Sequence, residues 1–495
     1  MLLPADAQRP ARIAVAMAAA AMFTVIAGFR YLPLTDFPQH ALQLSAWVHA
    51  HDPAFAFDQQ YELNWRTPYL LSYLLARPLV PLVGVAGSLK VVLAAGVAAT
   101  VFAFARLARA LGLDPWWTLP TAPLALGFAF AFGFINFVLA TPLVLAAMAD
   151  CLAVCSGGGR PSRARLALFL VLLVPTHGFA LVVAFLLCAP MPAISAIRSR
   201  DPARCWPLLG PVLAVLPWLP GYLRSSNGFT EVHVDIWGLG AERLLELPGL
   251  VAGGGRADWL GALYAITIAV ALVALAGRPS RAPLRWLPLA TVVAAYLLCP
   301  FKLRGVAFLY QRFAAFMIPA LLVAIEPAER GRASLRRLVQ VAFPSVWLGF
   351  LALRFASFQI EAQGWVDVEA CMRPGKRVRP LMFLRDSESM PGAAPFLHFP
   401  AYYTAEKGGW LGFSFAANYT SFARYRPGVR FGMKPDQEWA PWTFEAKREV
   451  PEYDYFVARS DRDLGPALFR TSPVPIRLAC SSGRWFVYER ADRGQ

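Results

Sequence analysis

Charged residues are scarce in this chain, and their scarcity argues against an ordinary soluble enzyme. Only 16% of the 495 residues are Asp, Glu, Lys or Arg, whereas 57% are hydrophobic. The sequence also lacks a Walker loop, a dinucleotide-type glycine pattern, cysteines at metal-ligand spacing and any internal repeat. Nothing in it therefore indicates a nucleotide-binding, zinc-binding or solenoid protein.

Long apolar runs, by contrast, recur along most of the chain. Blocks of about 17 to 20 apolar residues are typical of membrane spans, because a helix of about 20 residues crosses the hydrocarbon core. We predict an α-helical polytopic membrane protein with about eleven transmembrane helices. The predicted spans are 11–29, 88–107, 116–132, 135–154, 166–177, 178–195, 206–222, 258–277, 285–301, 313–328 and 338–356. The segment 67–84 is not among them, since its prolines and Arg77 favour an interfacial position.

The net charge of +16 has the distribution of a membrane protein and gives no indication of nucleic acid as a partner. Most arginines lie in the gaps between apolar blocks, and with eleven spans their clusters fall on one side, which the positive-inside rule makes cytoplasmic. Arg9 and Arg12 precede the first block, which is too long for a signal-peptide core and is interpreted as a retained anchor. We expect a multi-pass protein of a bacterial inner membrane with a cytoplasmic N-terminus.

The last part of the chain has a different composition, with mixed charges, glycines and prolines. Strand-sized apolar runs such as "PLMFLRD", "YDYFVAR" and "RWFVYER" predict a small α/β domain over 357–495. It would follow a transmembrane domain over 1–356, whose first periplasmic loop, 30–87, carries juxtamembrane helices. Eleven spans place the C-terminal domain in the periplasm. Cys371 and Cys480 could pair in that oxidising compartment or remain as thiols.

Asp36, the first acidic residue after the first apolar block, has two compatible interpretations. In "TDFPQH" it is a suitable helix N-cap, with Pro38 in the first turn and Gln39 placed to complete a capping box. A carboxylate at the membrane boundary could also act as a general base or help to hold a metal ion. His40 lies one turn further along, and Gln43 and Trp47 continue the same helical face.

Cations near the predicted outer surface form the second group of candidates. Lys302, Arg304 and Arg312 surround a short segment between two spans, and Arg312 stands at the mouth of the second. Ionisable residues at membrane depth indicate functional sites, although snorkelling anchors explain many of them. An arginine could hold a phosphate through its bidentate fork. His177, in the turn "THGF", could cap or pack, or it could bind phosphate or a sugar hydroxyl.

Weaker candidates lie elsewhere on the predicted outer face. Glu62, Asn64 and Arg66 in "YELNWRTPY" belong either to a solvated loop or to a surface that contacts acceptor or sugar. Asn136 in "FGFINF" is either a turn residue or a cap that faces a cavity. The aromatic and glycine-rich segment 398–410 could bind a glycan or a polypeptide, or could simply be a packed loop.

These features resemble the GT-C superfamily of membrane glycosyltransferases, which includes protein O-mannosyltransferases and the enzymes that add aminoarabinose to lipid A. "TDFPQH" stands where that family has an acidic motif after its first span, and "NWRTPYLLSYLLARPL" resembles its juxtamembrane helix. "LLVPTHGFALVV" resembles paired spans whose outer turn often reads Thr-Lys-Gly, with His177 in place of lysine. Many members have two adjacent acidic residues, whereas Phe37 follows Asp36 here, which puts metal coordination in doubt.

The resemblance implies a glycosyltransferase that moves a sugar, hexose or pentose, from a polyprenyl-phosphate-linked donor to a periplasmic lipid, glycan or protein. Asp36 would be the general base or a metal ligand, with His40 beside it, and a divalent ion is a conceivable cofactor. Arg304 and Arg312, with Lys302 and His177, would hold the donor phosphate. Two other functions remain open: a flippase or transporter of a lipid-linked glycan, and a non-catalytic scaffold. Membrane lipids are partners in each case.

Overall fold

The computed structural model describes residues 5–217, 219–220, 235–238, 240–303, 306–328, 333–429, 432–433 and 436–493. They form two compact units. The first comprises the chain up to Gly28, Pro68–Ser72 and Lys90–Leu353, and the second comprises Phe29–Thr67, Tyr73–Leu89 and Arg354–Gln495. The first loop and the C-terminal part thus fold together.

The first unit is helical. Its helices, together with three that continue into the second unit, are Ala5–Gly28, Leu71–Ala76, Val80–Ala110, Thr118–Thr121, Phe128–Ala131, Ile135–Cys155, Arg160–Thr176, Gly178–Cys188, Pro190–Ser199, Leu209–Val215, Glu242–Ala252, Trp259–Ala271, Leu287–Leu298, Met317–Val323, Ala333–Arg337 and Phe343–Ala362. Short antiparallel strand pairs join Gly277–Pro279 to Ile325–Pro327 and Lys302–Leu303 to Val306–Ala307. Apolar packing between helices accounts for most of its buried residues.

Six helical segments in the described ranges are long and apolar enough to cross a membrane. They are Arg9–Gly28, Leu71–Ala110, Ile135–Cys155, Gly178–Ser199, Trp259–Ala276 and Ala333–Ala370. Each overlaps one of the predicted spans. Two further predicted spans, 285–301 and 313–328, overlap the shorter apolar helices Pro283–Leu298 and Tyr310–Val323. The predicted span 166–177 falls within helix Arg160–Thr176. The chain is therefore a multi-pass membrane protein.

Two predicted spans differ in form from the sequence-based expectation. Residues 116–132 do not make one helix; they form short turns over Thr118–Thr121, Ala122–Leu126 and Phe128–Ala131. Pro120 and Pro123 remove two backbone donors within this stretch, which disfavours one regular helix. The span 206–222 lies only partly within the described residues, where it contains helix Leu209–Val215.

Gly84 interrupts the long segment Leu71–Ala110. Its φ of +72° lies in the left-handed region, which glycine adopts without a steric penalty. A segment of 40 residues is about twice what one crossing needs. The break separates residues 71–83 from the apolar helix that follows.

The second unit contains a mixed five-stranded sheet. Its strands, in spatial order, are Ile476–Ser482, Trp485–Arg490, Tyr455–Arg459, Arg377–Met382 and Trp410–Leu411. The first two pairings are antiparallel and the last two are parallel. Strand Tyr455–Arg459 is buried along its whole length, as expected for a central strand. The helices of this unit are Phe37–Val48, Gly364–Ala370, Ala401–Lys407, Ala446–Glu449 and Gly465–Leu468.

Helix Phe37–Val48 is attached to the C-terminal part by two glutamines. Gln43 exchanges hydrogen bonds with the backbone of Ala423, donating to its carbonyl (2.9 Å) and accepting from its amide (2.6 Å). Gln39 donates to the carbonyl of Phe413 (3.2 Å) and accepts from the amide of Phe415 (3.1 Å). A side-chain amide can satisfy a backbone donor and acceptor at once, so each glutamine acts like one rung of a strand ladder. The helix register is thereby fixed relative to residues 413–423.

A disulfide joins Cys371, at the end of helix Gly364–Ala370, to Cys480 in strand Ile476–Ser482. It closes a loop with a sequence separation of 109 residues. The sequence left this pairing open, and the structure contains it.

Removal of this disulfide should lower the unfolding free energy of the second unit by about 2–5 kcal/mol, because a long closed loop restricts the unfolded chain. Thermal unfolding of Cys371→Ala, Cys480→Ala and the double variant would measure the effect. All three should lose the same amount, since each removes one and the same bond. Losses that add up in the double variant would contradict a shared disulfide.

Candidate active site

Asp36 occupies the N-cap position of helix Phe37–Val48, but its side chain makes no capping hydrogen bond. Its backbone carbonyl accepts from the amide of His40 at 3.1 Å. Gln39, the expected partner in a capping box, bonds to residues 413 and 415 instead. The capping-box interpretation is therefore wrong, and the carboxylate is directed to another group.

That group is His398, whose Nε2 atom lies 3.6 Å from Oδ1 of Asp36. The side chain of Asp36 is 14% exposed and that of His398 is 5% exposed. The imidazole of His398 stacks on Phe413, with centroids 5.1 Å apart and planes at 9°, and meets Phe415 edge-on at 5.5 Å. An aromatic enclosure thus fixes the orientation of the ring that faces the carboxylate.

His40 completes what we call the Asp36 cluster: Asp36, His40, His398 and Tyr73. The Nδ1 atom of His40 lies 2.7 Å from the hydroxyl of Tyr73. The ring of His40 meets Phe415 edge-on at 6.0 Å, so both histidines pack against the same phenyl ring. Asp36, His40, Gln43 and Trp47 all contact residues between 398 and 423. They therefore share one face of the helix.

Both histidines of the cluster are neutral near pH 7. Burial lowers the pKa of His40 to about 4. Burial, together with the neighbouring His40, lowers the pKa of His398 to about 3. The carboxylate of Asp36 alone would raise the pKa of His398, but the cost of desolvating an imidazolium exceeds this attraction. The contact is therefore between a carboxylate and a neutral imidazole, and is not an ion pair.

These buried histidines should make the second unit less stable in acid. The pKa of a histidine in an unfolded chain is about 6.5. Below that pH the unfolded chain therefore binds protons at these positions, whereas the folded cluster stays unprotonated. The unfolding free energy should be highest above about pH 6.5 and should fall as the pH is lowered towards 4. His398 should account for a loss on the order of 3 kcal/mol over this range. Unfolding measured between pH 7 and 4 would test this. His398→Gln should flatten the slope, and an unchanged slope would contradict the assignment.

The first unit contains a separate group, the Arg312 cluster, made of Arg312, His177 and the rings of Phe134, Phe137 and Phe179. Arg312 is only 8% exposed, and its guanidinium lies 4.3 Å above the ring of Phe134. Its Nη2 donates to the carbonyl of Ala307 at 3.3 Å. Phe137 and Phe179 lie within 6 Å of the same cation. Aromatic faces stabilise a desolvated guanidinium while leaving hydrogen-bond donors in its plane.

His177 lies at the same place. It follows helix Arg160–Thr176 and caps helix Gly178–Cys188, where its Nδ1 lies 3.2 Å from the amide of Ala180. Its Nε2 lies 3.2 Å from Nη1 of Arg312, which can only donate. The guanidinium of Arg312 and the imidazole of His177 are therefore in hydrogen-bond contact, beside the rings that enclose the cation.

The other predicted phosphate ligands lie close to Arg312 in the chain. Lys302 belongs to strand Lys302–Leu303, where its backbone pairs with Ala307, the residue that accepts from Arg312. The structure thus brings the strand of Lys302 beside Arg312. Arg304 lies outside the described residues.

The residues predicted to contact acceptor or sugar have structural partners. Glu62 accepts from Arg424 at 2.6 Å, directly opposite it in an antiparallel pair of strands, Tyr61–Leu63 with Ala423–Tyr425. Asn64 is buried and donates to the carbonyls of Tyr419 and Ser421. These bonds account for both side chains without a ligand.

The other two residues predicted to contact acceptor or sugar, Arg66 and Asn136, differ from Glu62 and Asn64 in their side-chain contacts. Arg66 is exposed in the second unit, where its backbone amide donates to the side chain of Asn64. Asn136 is buried in the first turn of helix Ile135–Cys155, with its Oδ1 lacking a hydrogen-bond partner. The amide of Asn136 is therefore a buried acceptor available to a donor.

No group of three or more His, Cys, Asp or Glu side chains is arranged to hold a metal ion within the described ranges. Asp36 has two nearby histidines, but only His398 lies close to its carboxylate in the contacts above.

Sequence reasoning missed His398 and the phenylalanine enclosure of Arg312. The segment 398–410 is rich in aromatic residues, but nothing in it specifies a partner for Asp36. Phe137 and Phe179 belong to two predicted spans, Phe134 lies between two spans, and all three resemble any other apolar residue in sequence. Only their position in or next to the short segments "GFIN" (133–136) and "THGF" (176–179), between predicted spans, could have indicated a role.

The fold is similar to that of a known membrane protein, although sequence comparisons find no relative. No protein-family model matches the chain, and no curated protein sequence matches it. Among solved structures, it is similar to ArnT from Cupriavidus metallidurans bound to undecaprenyl phosphate, with a TM-score of 0.51 and 13% identity over 97% of this chain and 98% of that chain. The apo state of the same protein gives a TM-score of 0.48 and 12% identity over the same shares. The chain therefore has a fold similar to that of ArnT, one of the kinds of enzyme that its sequence layout resembles.

Proposed function

We propose that this protein is a glycosyltransferase that moves a sugar from a polyprenyl-phosphate-linked donor to an acceptor on the periplasmic side of a bacterial inner membrane. The observation that carries the proposal is the buried, ring-enclosed guanidinium of Arg312 in contact with His177 in the Arg312 cluster. Arg312 and His177 are buried, and their nitrogen atoms lie 3.2 Å apart. A buried guanidinium is a strong binder of a phosphate oxygen. ArnT in the compared structure is bound to undecaprenyl phosphate, a ligand of this class.

The Arg312 cluster would stabilise the leaving group. When the bond between the anomeric carbon and the phosphate oxygen breaks, the electron pair stays on the phosphate, whose negative charge increases. Fixed donors at a site shielded from water stabilise such developing charge strongly. Arg312 would supply the positive charge and His177 a neutral hydrogen bond. Lys302 and Arg304 would add charge from the segment that leads to Arg312.

Asp36 would act on the acceptor as the general base. Its carboxylate takes the proton of an acceptor hydroxyl while the hydroxyl oxygen forms the new bond to the anomeric carbon. The products are the glycosylated acceptor, polyprenyl phosphate and a protonated Asp36, which then releases its proton to solvent. The neutral imidazole of His398 suits this role, because an imidazolium in its place would lower the pKa of the carboxylate and make it a weaker base.

The remaining assignments follow from the same proposal. Asn136, a buried acceptor, would contact the sugar, and exposed Arg66 would contact the acceptor. The C-terminal part, with its disulfide, would lie in the periplasm, where such bonds persist. A donor assay with hexoses and pentoses supplied one at a time distinguishes the two sugar classes.

The test is a donor-turnover assay with the full-length protein in bacterial lipid. Undecaprenyl-phosphate-linked hexoses and pentoses would be supplied one at a time with inner-membrane and periplasmic fractions as acceptors. Mass spectrometry would measure free undecaprenyl phosphate and any glycosylated product. Both should appear together with one or more donors. Movement of intact donor between leaflets, without release of undecaprenyl phosphate, would instead indicate a flippase.

A further inference from the structure

We propose that His398 is a positioning residue for Asp36, so that residues 398–415 of the C-terminal part complete the catalytic centre. This inference rests on the proposed function, because it takes Asp36 to be the general base. It starts from the 3.6 Å approach of His398 Nε2 to Asp36 Oδ1 between two chain segments that are remote in sequence. Asp36 is the N-cap residue of helix Phe37–Val48, yet its side chain makes no capping hydrogen bond and lies beside His398.

The contact has the chemistry of a hydrogen bond that orients a base. A neutral imidazole with its proton on Nε2 would donate to Oδ1 once the two atoms come within hydrogen-bond distance, which would restrict rotation of the carboxylate and leave Oδ2 to accept a proton. The distance of 3.6 Å exceeds an ordinary hydrogen bond. Contacts of this kind are often long in a ligand-free enzyme and shorten when substrate binds.

A neutral donor serves a base better than a cation would. A nearby arginine lowers the pKa of a carboxylate by about 1–3 units, which reduces its ability to take a proton. His398 is kept uncharged by its surroundings, since it is 5% exposed and lies against Phe413 and Phe415. Within the part of the chain that the structure describes, the ionisable groups found to face it are Asp36 and His40, and His40 in turn contacts the hydroxyl of Tyr73. None of these is a cation near pH 7.

The helix that begins after Asp36 also holds the enclosure of His398 in place. Gln39 bonds to the carbonyl of Phe413 and to the amide of Phe415, the two residues whose rings contact His398. One side chain therefore links the start of this helix to both packing surfaces of the imidazole. Helix Phe37–Val48 therefore helps to fix the distance between the Asp36 carboxylate and the His398 imidazole.

A labelling experiment tests the contact without any assay of activity. Dicyclohexylcarbodiimide reacts with a protonated carboxyl group, so the pH dependence of Asp36 labelling, followed by peptide mass spectrometry, reports the pKa of that side chain. In the full-length protein, His398→Phe removes the donor but keeps an aromatic ring, and His398→Gln keeps a neutral donor. His51→Gln, at an exposed histidine of the same unit, is the matched control.

Loss of a donor to the charged form raises a carboxyl pKa. The labelling midpoint should therefore rise by about one pH unit in His398→Phe and stay within a few tenths in His398→Gln and His51→Gln. An unchanged midpoint in a folded His398→Phe protein overturns the inference. If His398→Phe does not fold, a midpoint in His398→Ala equal to that of the wild type has the same meaning.

Turnover of undecaprenyl-phosphate-linked sugar separates this inference from the proposed function. We expect His398→Phe to lower kcat about 10- to 100-fold with little change in KM. The acid limb of its pH–rate profile should move to higher pH. His398→Gln should restore most of the rate. A loss of rate without a shift of the acid limb would mean a structural role and would overturn the inference. Retained activity in Asp36→Asn would defeat the proposed function itself.

Discussion

Asp36→Asn is expected to abolish sugar transfer while the protein stays folded. Asparagine has nearly the same shape as aspartate but cannot take a proton, and loss of a general base typically costs about 10²- to 10⁴-fold in rate. Because the side chain of Asp36 makes no capping bond, the helix does not depend on its carboxylate. Asp36→Ala should therefore be as inactive as Asp36→Asn and nearly as stable. Release of undecaprenyl phosphate and thermal unfolding would be measured on the same preparations.

Asp52→Asn is the matched control for this experiment. Asp52 lies in the same unit and accepts from the amide of Ala54 in its own turn, but it has no contact with the Asp36 cluster in the hydrogen bonds described. It should retain the rate of the wild type. Activity in Asp36→Asn together with its loss in Asp36→Ala would show that Asp36 has a structural role, and the assignment of a base would then be wrong.

Arg312→Gln should weaken binding of the lipid phosphate. A charge-assisted hydrogen bond contributes about 1.5–3 kcal/mol, so the dissociation constant for undecaprenyl phosphate should rise roughly 10- to 150-fold. Arg312→Lys should fall between wild type and Arg312→Gln, because lysine keeps the charge but lacks the planar fork. Binding of undecaprenyl phosphate to the protein in detergent, measured by native mass spectrometry, would give these constants at one ionic strength.

Arg243→Gln controls for the loss of a buried arginine. Arg243 is 2% exposed, donates to the carbonyls of Tyr296, Leu297 and Cys299, and lies 3.9 Å above the ring of Tyr310. Its environment resembles that of Arg312, except that no histidine of the described residues is found to contact it. Arg243→Gln should lower stability with an unchanged dissociation constant. Equal weakening of phosphate binding by both variants would show that the Arg312 effect is merely structural.

Local features of the chain could be predicted from sequence because they depend on neighbours along the chain. The apolar blocks, the helix that begins after Asp36 and the turn at His177 all follow from residue patterns a few positions long. The three strand-sized runs of the C-terminal part lie in three strands of one sheet. The resemblance to the GT-C superfamily rested on such local motifs, and the compared fold agrees with it.

Contacts between remote segments could not be predicted in this way. Nothing near Asp36 in the sequence indicates His398, and nothing near Glu62 indicates Arg424, which gives Glu62 a structural partner. The capping box failed for the same reason. Gln39 had an adequate local partner, but residues 413 and 415 offered both a donor and an acceptor, which one amide satisfies together.

The hydrogen bonds of Gln39 and Gln43 to residues 413–423 can form only late in biosynthesis. Gln43 leaves the ribosome 380 residues before Ala423, the partner of its side chain. Translation proceeds at about 5–20 residues per second, so roughly 20–80 s pass between the synthesis of helix Phe37–Val48 and that of the segment that covers it. During that interval its docking face is exposed to solvent. Amide groups can hydrogen-bond to water meanwhile, whereas an apolar face of equal area would invite premature aggregation on the nascent chain.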